Sequence, residues 1–292
     1  MSETVLITGA TGTVGRHLVR DLAEAGVRPR AFVRDNTVAH NLFGHDAEIA
    51  SGDLADPDAV RRAMTDVDTL FLACGNVAEQ VALECAAIDA ARSAGIRRVV
   101  KLSALGAAHD ATPTLWRRHA AIEDHLAESG LSAVVLRPSF FMSNLFAAAA
   151  PVRNLRMLPA PAGTAPIAMI DPADIAAVAT AVIMDDAVEP GTIELTGPES
   201  LTYHYVAQHL SDATGHDITY LDVAPDLAEQ AMIADGLPEP MARQILEVFE
   251  ALRHGTYATT NDQVTRLTGH PARTLAEFVA DHASAFAEPV NR

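Results

Sequence analysis

Seven residues near the start of the chain constrain its fold most. Gly9-Ala10-Thr11-Gly12-Thr13-Val14-Gly15 spaces three glycines three apart, directly after the apolar, β-prone run Val5-Leu6-Ile7-Thr8. Past Gly12 the pattern changes period: Val14, Leu18 and Leu22 recur every four residues, which marks one face of a helix that Gly26 closes. Strand, tight turn and helix in succession open a βαβ unit. In that setting Gly9 suits the turn, Gly12 lets backbone approach a pyrophosphate, and Gly15 permits close packing of helix on strand. Free amides at the helix mouth, with the positive end of the helix dipole, would attract a diphosphate without any lysine. Three glycines in seven residues can also be a plain flexible turn, so the dinucleotide reading leans on the pattern that follows.

That pattern is a regular alternation. Arg30-Ala31-Phe32-Val33-Arg34 and the weaker Ala47-Glu48-Ile49-Ala50 read as strands. Asp56-Pro57-Asp58 opens a helix with a cap, a first-turn proline and an acid at the positive end. Asp68–Ala73 is the next strand, residues 78–94 a helix stopped by Gly95, and Arg98–Leu102 a further strand. Trp116–Glu128 reads as a helix and Ala133–Pro138 as a strand ended by proline. Pro159–Pro166 reads as a loop. Asp171-Pro172 starts another helix and Ile193–Thr196 is a short strand. Thr202 and the Thr274–Glu277 capping box begin helices in the last third. The expected fold is α/β: a Rossmann-type parallel sheet with helices on both faces and a smaller, mostly helical C-terminal domain. Residues 1–150 should form the dinucleotide-binding domain, with part of 165–200 returning to it and the remainder of 151–292 forming a smaller substrate-binding domain.

Composition narrows the partners. A formal net charge of -17 with no offsetting basic stripe opposes nucleic acid and anionic membrane surfaces. No apolar stretch is long enough to span a bilayer, and Met1-Ser2-Glu3-Thr4 lacks the basic flank of a secretory leader. Cys74 and Cys85 give neither a disulfide framework nor a thiolate metal set, and a cytoplasmic location is expected. His204, His209 and His216 lack metal-ligand spacing, and Asp171 and Asp174 read as helix-start residues, so no metal is expected.

Where the second strand ends, Arg34 could pair with a 2′-phosphate, whereas Asp35 could serve an unphosphorylated ribose if the strand runs one residue longer. NADP(H) is therefore the expected cofactor, with NAD left open. Gly52-Asp53-Leu54 offers an adenine contact, although a plain turn explains it nearly as well.

Taken together, these residues resemble the NmrA-like group of atypical short-chain dehydrogenase/reductases, which includes NADP-dependent quinone and triphenylmethane reductases. The resemblance begins at the Gly9–Gly15 turn and runs through Gly52-Asp53-Leu54, Leu102-Ser103-Ala104, His119–Glu123, Leu136–Asn144, Asp171–Ala176 and Thr196–Thr202. It implies a substrate cleft between two domains, beside the nicotinamide. It implies pyrophosphate contacts from Gly9, Thr11, Gly12, Thr13, Val14 and Gly15, a 2′-phosphate contact from Arg34, and adenine contacts from Asp53 and Leu54. Ala73, Cys74, Gly75, Asn76 and Ser103 would pass near the ribose and nicotinamide. Pro138, Ser139, Phe140 and Phe141 would cover the nicotinamide side, with Phe141, Met142, Asn144 and Trp116 toward substrate. Aromatic and methionine residues at such spacing can equally be core.

The wider superfamily uses a Tyr-x-x-x-Lys pair to protonate the carbonyl oxygen. Here the sole lysine is Lys101, on an expected strand, and no tyrosine precedes Tyr203. His119 stands where that lysine is expected. It could bond a ribose hydroxyl, transfer a proton, or simply be a satisfied helix residue. Ser103 is the other candidate catalytic residue, although no nucleophile elbow accompanies it. Direct hydride transfer to an electron-poor acceptor needs no side-chain acid, since the cofactor carries the hard chemistry. The reading is an NADPH-dependent reductase of a small quinone, enone or imine, acting as a monomer or homodimer. A non-catalytic NAD(P) sensor is the alternative.

Overall fold

The computed structural model describes residues 3–287; Met1 and Ser2, at the head of the opening segment, and the last five residues of the expected C-terminal domain lie outside them. β1 (Val5–Ile7) leads through the glycine turn into α1 (Gly15–Glu24) and β2 (Arg30–Val33). α2 (Asn36–Phe43), β3 (Glu48–Ser51), α3 (Pro57–Ala63), β4 (Thr69–Leu72), α4 (Gln80–Ala94), β5 (Arg98–Leu102), α5 (Thr114–Glu128) and β6 (Ser132–Pro138) continue the alternation. A 3-10 segment, Met142–Ala148, then runs into α6 (Ala149–Leu155) and β7 (Met157–Ala160). α7 (Pro172–Met184) and β8 (Gly191–Leu195) return to the large sheet, whose strand order is β3-β2-β1-β4-β5-β6-β8 with every pairing parallel.

The alternation of side chains along the strands explains why the sheet is covered twice. Val5 and Ile7 of β1 face a core shared with Val14, Leu18 and Leu22 of the first βα unit and with Ile175, Val178 and Val182 of α7. Leu6, between them, points the other way, into a core made with Ala59 and Val60 of α3, Ile88 of α4 and Ile122 of α5. Burial of such aliphatic side chains contributes roughly 1.5–3 kcal/mol each, which is what holds the two helical layers to the sheet.

Much of the rest of the chain builds a separate apolar cluster, while Val264 and Leu267 of the helix over 263–268 pack into the sheet core beside α7. α8 (Tyr203–Thr214), β9 (Thr219–Asp222), α9 (Pro225–Ala234), α10 (Glu239–Arg253), α11 (Gln263–Thr268), α12 (Leu275–Asp281) and α13 (Ala283–Phe286) follow β8. Residues from α6, α8 and α12 pack with Trp116, Met142 and Tyr257 into this third core. The helix starts at Asp56, Asp171, Thr202 and Thr274 carry the expected side-chain caps, and Thr274 with Glu277 forms the full capping box.

Three local expectations change. Pro159, read as the start of a loop, lies in β7, which pairs in parallel with β9 in a two-stranded sheet; having only this one partner, β7 can accommodate a residue without an N–H. α2 was not expected. It exists because Asp35 leaves the end of β2 as a helix cap, its Oδ1 accepting from the amides of Thr37 at 2.8 Å and Val38 at 3.1 Å. α5 begins at Thr114, two residues before its expected start, because the amide of Thr114 donates to Glu247 Oε2 from α10.

Candidate functional site

In the sheet order β1 and β4 are neighbours, and the connections leaving them go to opposite sides. This is the switch point at which an open parallel sheet forms a crevice beyond its carboxyl ends. Thr8, which ends the first apolar run, ties the two strands together there. Its buried hydroxyl donates to the carbonyl of Ala73 at 2.8 Å and accepts from the amide of Ala73 at the same distance. The glycine turn sits on this join. Gly9 takes a left-handed φ of 62°, and its carbonyl accepts from the Gly12 amide at 2.9 Å. A Cβ on Gly15 would lie 2.3 Å from the carbonyl oxygen of Gly9 and 2.7 Å from Cα of Ala10, so only glycine lets α1 start this close to the turn. No side chain caps α1. Thr11, Gly12 and Thr13 are exposed, and the amides of Thr11, Thr13 and Val14 have no acceptor among the described residues. Val14 itself is buried in the core beneath.

Beyond β2, Arg34 is exposed and makes no hydrogen bond or ion pair among the described residues, while Asp35 is occupied at the start of α2. After β3, Gly52 lies against the Phe32 ring, where a Cβ would come within 2.6 Å. Asp53, exposed, turns its carboxylate to the Ala55 amide at 2.9 Å, and Leu54 packs partly into the core under it.

Past β4, Ala73 is buried, Cys74 half-buried, and Gly75 and Asn76 exposed. Burial pushes the Cys74 thiol up, so it stays protonated and unreactive at neutral pH. Under this loop lies a polar pocket that sequence reasoning did not assemble. Lys101 of β5 and Glu84 of α4 form an ion pair at 2.7 Å with neither side chain exposed. Lys101 also donates to the Leu102 carbonyl, and Gln80, one turn before Glu84, donates to Glu84 Oε1 at 3.0 Å. A signal was present: a lone lysine inside an apolar strand requires a buried partner, and Gln80 and Glu84 share one helix face. His119 of α5 borders this pocket. It is 9% exposed, and its Nδ1 is buried without a hydrogen-bond partner. Burial first, then the charges of Lys101 and Arg118, hold the imidazole well below its usual range, so it is neutral at physiological pH. It therefore offers one hydrogen-bond donor and one acceptor, and not an acidic imidazolium proton.

Ser103, just past β5, is not hydrogen-bonded to His119. Its hydroxyl donates to Glu123 of α5, and Arg137 of β6 grips the same carboxylate with two nitrogens, Nε at 3.1 Å. Ser103 thus belongs to a braced triad joining β5, α5 and β6. At the end of β6, Pro138 is buried, and Ser139 just past it carries a buried hydroxyl with no partner among the described residues. Phe140 is half-buried with its ring 5.8 Å from that of Phe249 on α10, and Phe141 is half-buried against the sheet core. Met142 lies in the third core. Trp116 lies there too, its ring 5.0 Å from Tyr257, and Asn144 is exposed. The structure gathers the residues from the glycine turn, Ala73–Asn76, Ser103, His119 and Pro138–Phe141 near the carboxyl ends of β1, β4, β5 and β6. Trp116 and Met142 go mainly to packing.

Two contributors were invisible in the sequence because they come from far along the chain. Tyr257 donates its hydroxyl to the Leu105 carbonyl at 2.7 Å, beside the β5 exit. α10 leans on α5 through Thr114 to Glu247 and through Arg118 to Gln244. Among the described residues no group of side chains could hold a metal ion, and no helix is long and apolar enough to cross a membrane.

The chain is similar to known proteins over nearly its whole length. An NAD(P)H azoreductase of Xenophilus azovorans is 35% identical over 282 residues, covering 97% of this chain and 99% of its own length. The (4-alkanoyl-5-oxo-2,5-dihydrofuran-3-yl)methyl phosphate reductase of Streptomyces griseus is 34% identical over 97% of this chain and 99% of its own length. Among solved structures, an NADPH-dependent quinone oxidoreductase of Escherichia coli, complexed with NADPH, superposes with a TM-score of 0.86 at 28% identity, over 95% of this chain and 99% of that one. The model of the NmrA-like family matches residues 1–279, and the chain belongs to that family.

Proposed function

We propose that this chain is an NADPH-dependent reductase that delivers hydride to a small conjugated or aromatic acceptor such as a quinone, an enone or an imine. The observation that carries the reading is the uncapped glycine turn at the β1/β4 switch point, with orphaned polar atoms at the same sheet edge. The free amides of Thr11, Thr13 and Val14, beside Gly9, Gly12 and Gly15, fit a pyrophosphate. Arg34 fits the 2′-phosphate, since Asp35 is engaged as a cap and the guanidinium is free. Asp53 and Leu54 flank the adenine. Ala73 to Asn76 line the ribose and nicotinamide, and the partnerless Nδ1 of His119 and Oγ of Ser139 supply polar contacts for that end. The relatives named for NAD(P)H or NADPH support the choice of coenzyme.

When bound, the reduced nicotinamide supplies a hydride. What the protein adds is orientation. His119, neutral and buried, positions by hydrogen bonding; Ser103 braces Glu123 and Arg137 and holds the β5 and β6 exits at a fixed spacing. Pro138, Ser139, Phe140 and Phe141 would flank the nicotinamide side, with Phe141, Met142, Asn144 and Trp116 toward the acceptor. With no Tyr-x-x-x-Lys pair in the sequence, solvent completes protonation. That suits acceptors whose reduced form is already a stabilised anion. In this division of labour residues 1–150, with α7 and β8, hold the coenzyme, and the remainder walls the acceptor site. The protein works in the cytoplasm on a small molecule, as a monomer or homodimer.

Mixing the purified protein with NADPH and a panel of quinones, enones and imines, and following loss of NADPH absorbance, tests the reading. Saturable oxidation above the blank with at least one acceptor is expected. Tight NADPH binding without turnover on any of them would overturn it in favour of a sensor.

A further inference from the structure

Arg118 is the charged group at the site whose partners are all neutral. Its Nη1 donates to the Val77 carbonyl at 3.2 Å, on the loop that follows Asn76, and to Gln244 Oε1 at 3.2 Å, on α10. No carboxylate of the described residues lies within ion-pairing distance of it. Three other partly buried arginines meet carboxylates, Arg30 with Glu48, Arg137 with Glu123 and Arg273 with Asp171 and Asp281, whereas Arg153, away from the site, bonds only the Ala285 carbonyl among the described residues. Glu247, a carboxylate on the same α5–α10 contact, accepts from the amide of Thr114 at 2.6 Å. Arg118 thus holds its guanidinium half-shielded from water, next in sequence to His119 and within electrostatic reach of its ring.

A guanidinium satisfied only by carbonyl oxygens keeps N–H donors free in a planar fork, the geometry that matches carboxylate, sulfonate or phosphate oxygens. Arg118 joins α5 to the β4–α4 loop, which follows the Ala73–Asn76 stretch, and to α10, whose Phe249 ring lies 5.8 Å from that of Phe140 at the proposed acceptor site. The chain as a whole carries a net charge of -17, so an anionic acceptor gains nothing from long-range attraction and needs a local cation to be held.

We propose that Arg118 is a specificity-determining residue that binds an anionic oxy-group on the acceptor, so that the preferred substrates are conjugated acceptors carrying a carboxylate, sulfonate or phosphate. This rests on the reductase reading above and adds the substrate class. Arg118 takes no part in a covalent step: the anionic group exchanges water for guanidinium hydrogen bonds, apart from the conjugated part of the molecule that accepts the hydride.

The test compares 1,2-naphthoquinone with 1,2-naphthoquinone-4-sulfonate and, as a second anion, 1,4-naphthoquinone with its 2-carboxylate. Each is assayed with NADPH in the wild type, in Arg118→Gln and in Arg118→Lys. Dividing the anionic by the neutral kcat/KM within each protein cancels effects of the variant on folding or coenzyme binding, and comparing those ratios between proteins cancels the quinones' different potentials. Loss of a charge-assisted hydrogen bond should lower the ratio about tenfold or more in Arg118→Gln, chiefly through KM, with partial retention in Arg118→Lys. A second readout is independent of turnover. Trp116, the only tryptophan, lies two residues away, and its fluorescence should report sulfonate binding to the NADP-loaded wild type and weaker binding to Arg118→Gln. An unchanged ratio in Arg118→Gln would make Arg118 a clip between α5 and α10 and overturn the proposal while leaving the reductase reading intact. Failure of the wild type to reduce either member of both pairs counts against both.

Discussion

Gly12 and Gly15 sit three residues apart in one turn, yet replacing each by alanine should fail in different ways. At Gly15 the new methyl would lie 2.3 Å from the Gly9 carbonyl oxygen and 2.7 and 2.9 Å from backbone atoms of Ala10. None of these atoms is the end of a flexible side chain, so the turn and α1 must move apart. Overpacking of that kind costs about 1–3 kcal/mol. In a chain of this size each kcal/mol corresponds to roughly 2–4 °C in Tm, so Gly15→Ala should melt several degrees below wild type. At Gly12 the methyl would meet only the Gly9 carbonyl, at 3.1 Å, and φ there is not left-handed, so the fold should absorb it with little change in Tm. That methyl would project from an exposed turn where the account places the pyrophosphate. A steric cost of about 1.4 kcal/mol on the bound state weakens binding about tenfold. Calorimetric unfolding paired with NADPH titration reads both quantities. The expected pattern is low Tm for Gly15→Ala, and near-normal Tm with at least tenfold weaker NADPH for Gly12→Ala. Wild-type affinity in Gly12→Ala would refute the assignment of the turn to phosphate, and wild-type stability in Gly15→Ala would refute the packing argument.

The buried pair makes a second contrast: Lys101→Met alone strands the Glu84 carboxylate and should cost about 3–5 kcal/mol, whereas Lys101→Met with Glu84→Gln should recover most of it, as denaturant unfolding would show; equal losses would contradict the pairing. Arg34→Ala should raise the Kd for NADPH about tenfold or more while leaving NADH nearly unchanged, since only the 2′-phosphate is lost as a partner; equal losses would remove the basis for NADP preference. Asp174 gives a pH dependence. Burial, the largest cause, raises its carboxyl from 3.8 to about 6 although the Arg273 amide opposes the shift. An acid with a raised folded pKa binds more protons folded than unfolded, so its favourable contribution is complete below pH 3.8 and fades as pH rises through about 6. The Tm of wild type relative to Asp174→Asn should therefore fall from about pH 4 to about pH 6, and a constant difference would contradict the burial argument.

Much of the sheet was legible because its strands and helices carry their own local signals. The period change after Gly12, the caps at Asp56 and Asp171, and the stop at Gly95 are properties of a few neighbouring residues, and they reappear at those positions. What stayed hidden depends on residues far apart. Asp35 suits an unphosphorylated ribose if the strand runs one residue longer, and only the presence of α2 shows its carboxylate committed to two amides. Lys101 read as an oddity on a strand until Glu84 and Gln80 arrived from the preceding helix. Ser103 and His119 look like partners in sequence, but the strand spacing gives Ser103 to Glu123 and leaves His119 bordering the lysine pocket. The wall contributed by Phe249, Gln244 and Tyr257 comes from more than a hundred residues past α5, beyond the reach of any local pattern.

A coenzyme seat at the head of α1 is the central proposal. Isothermal titration of the folded wild-type protein with NADPH should give one saturable site per chain, with NADH binding more weakly at the same site. Absence of saturable heat with NADPH, NADP, NADH and NAD alike, from protein that melts cooperatively, would contradict it.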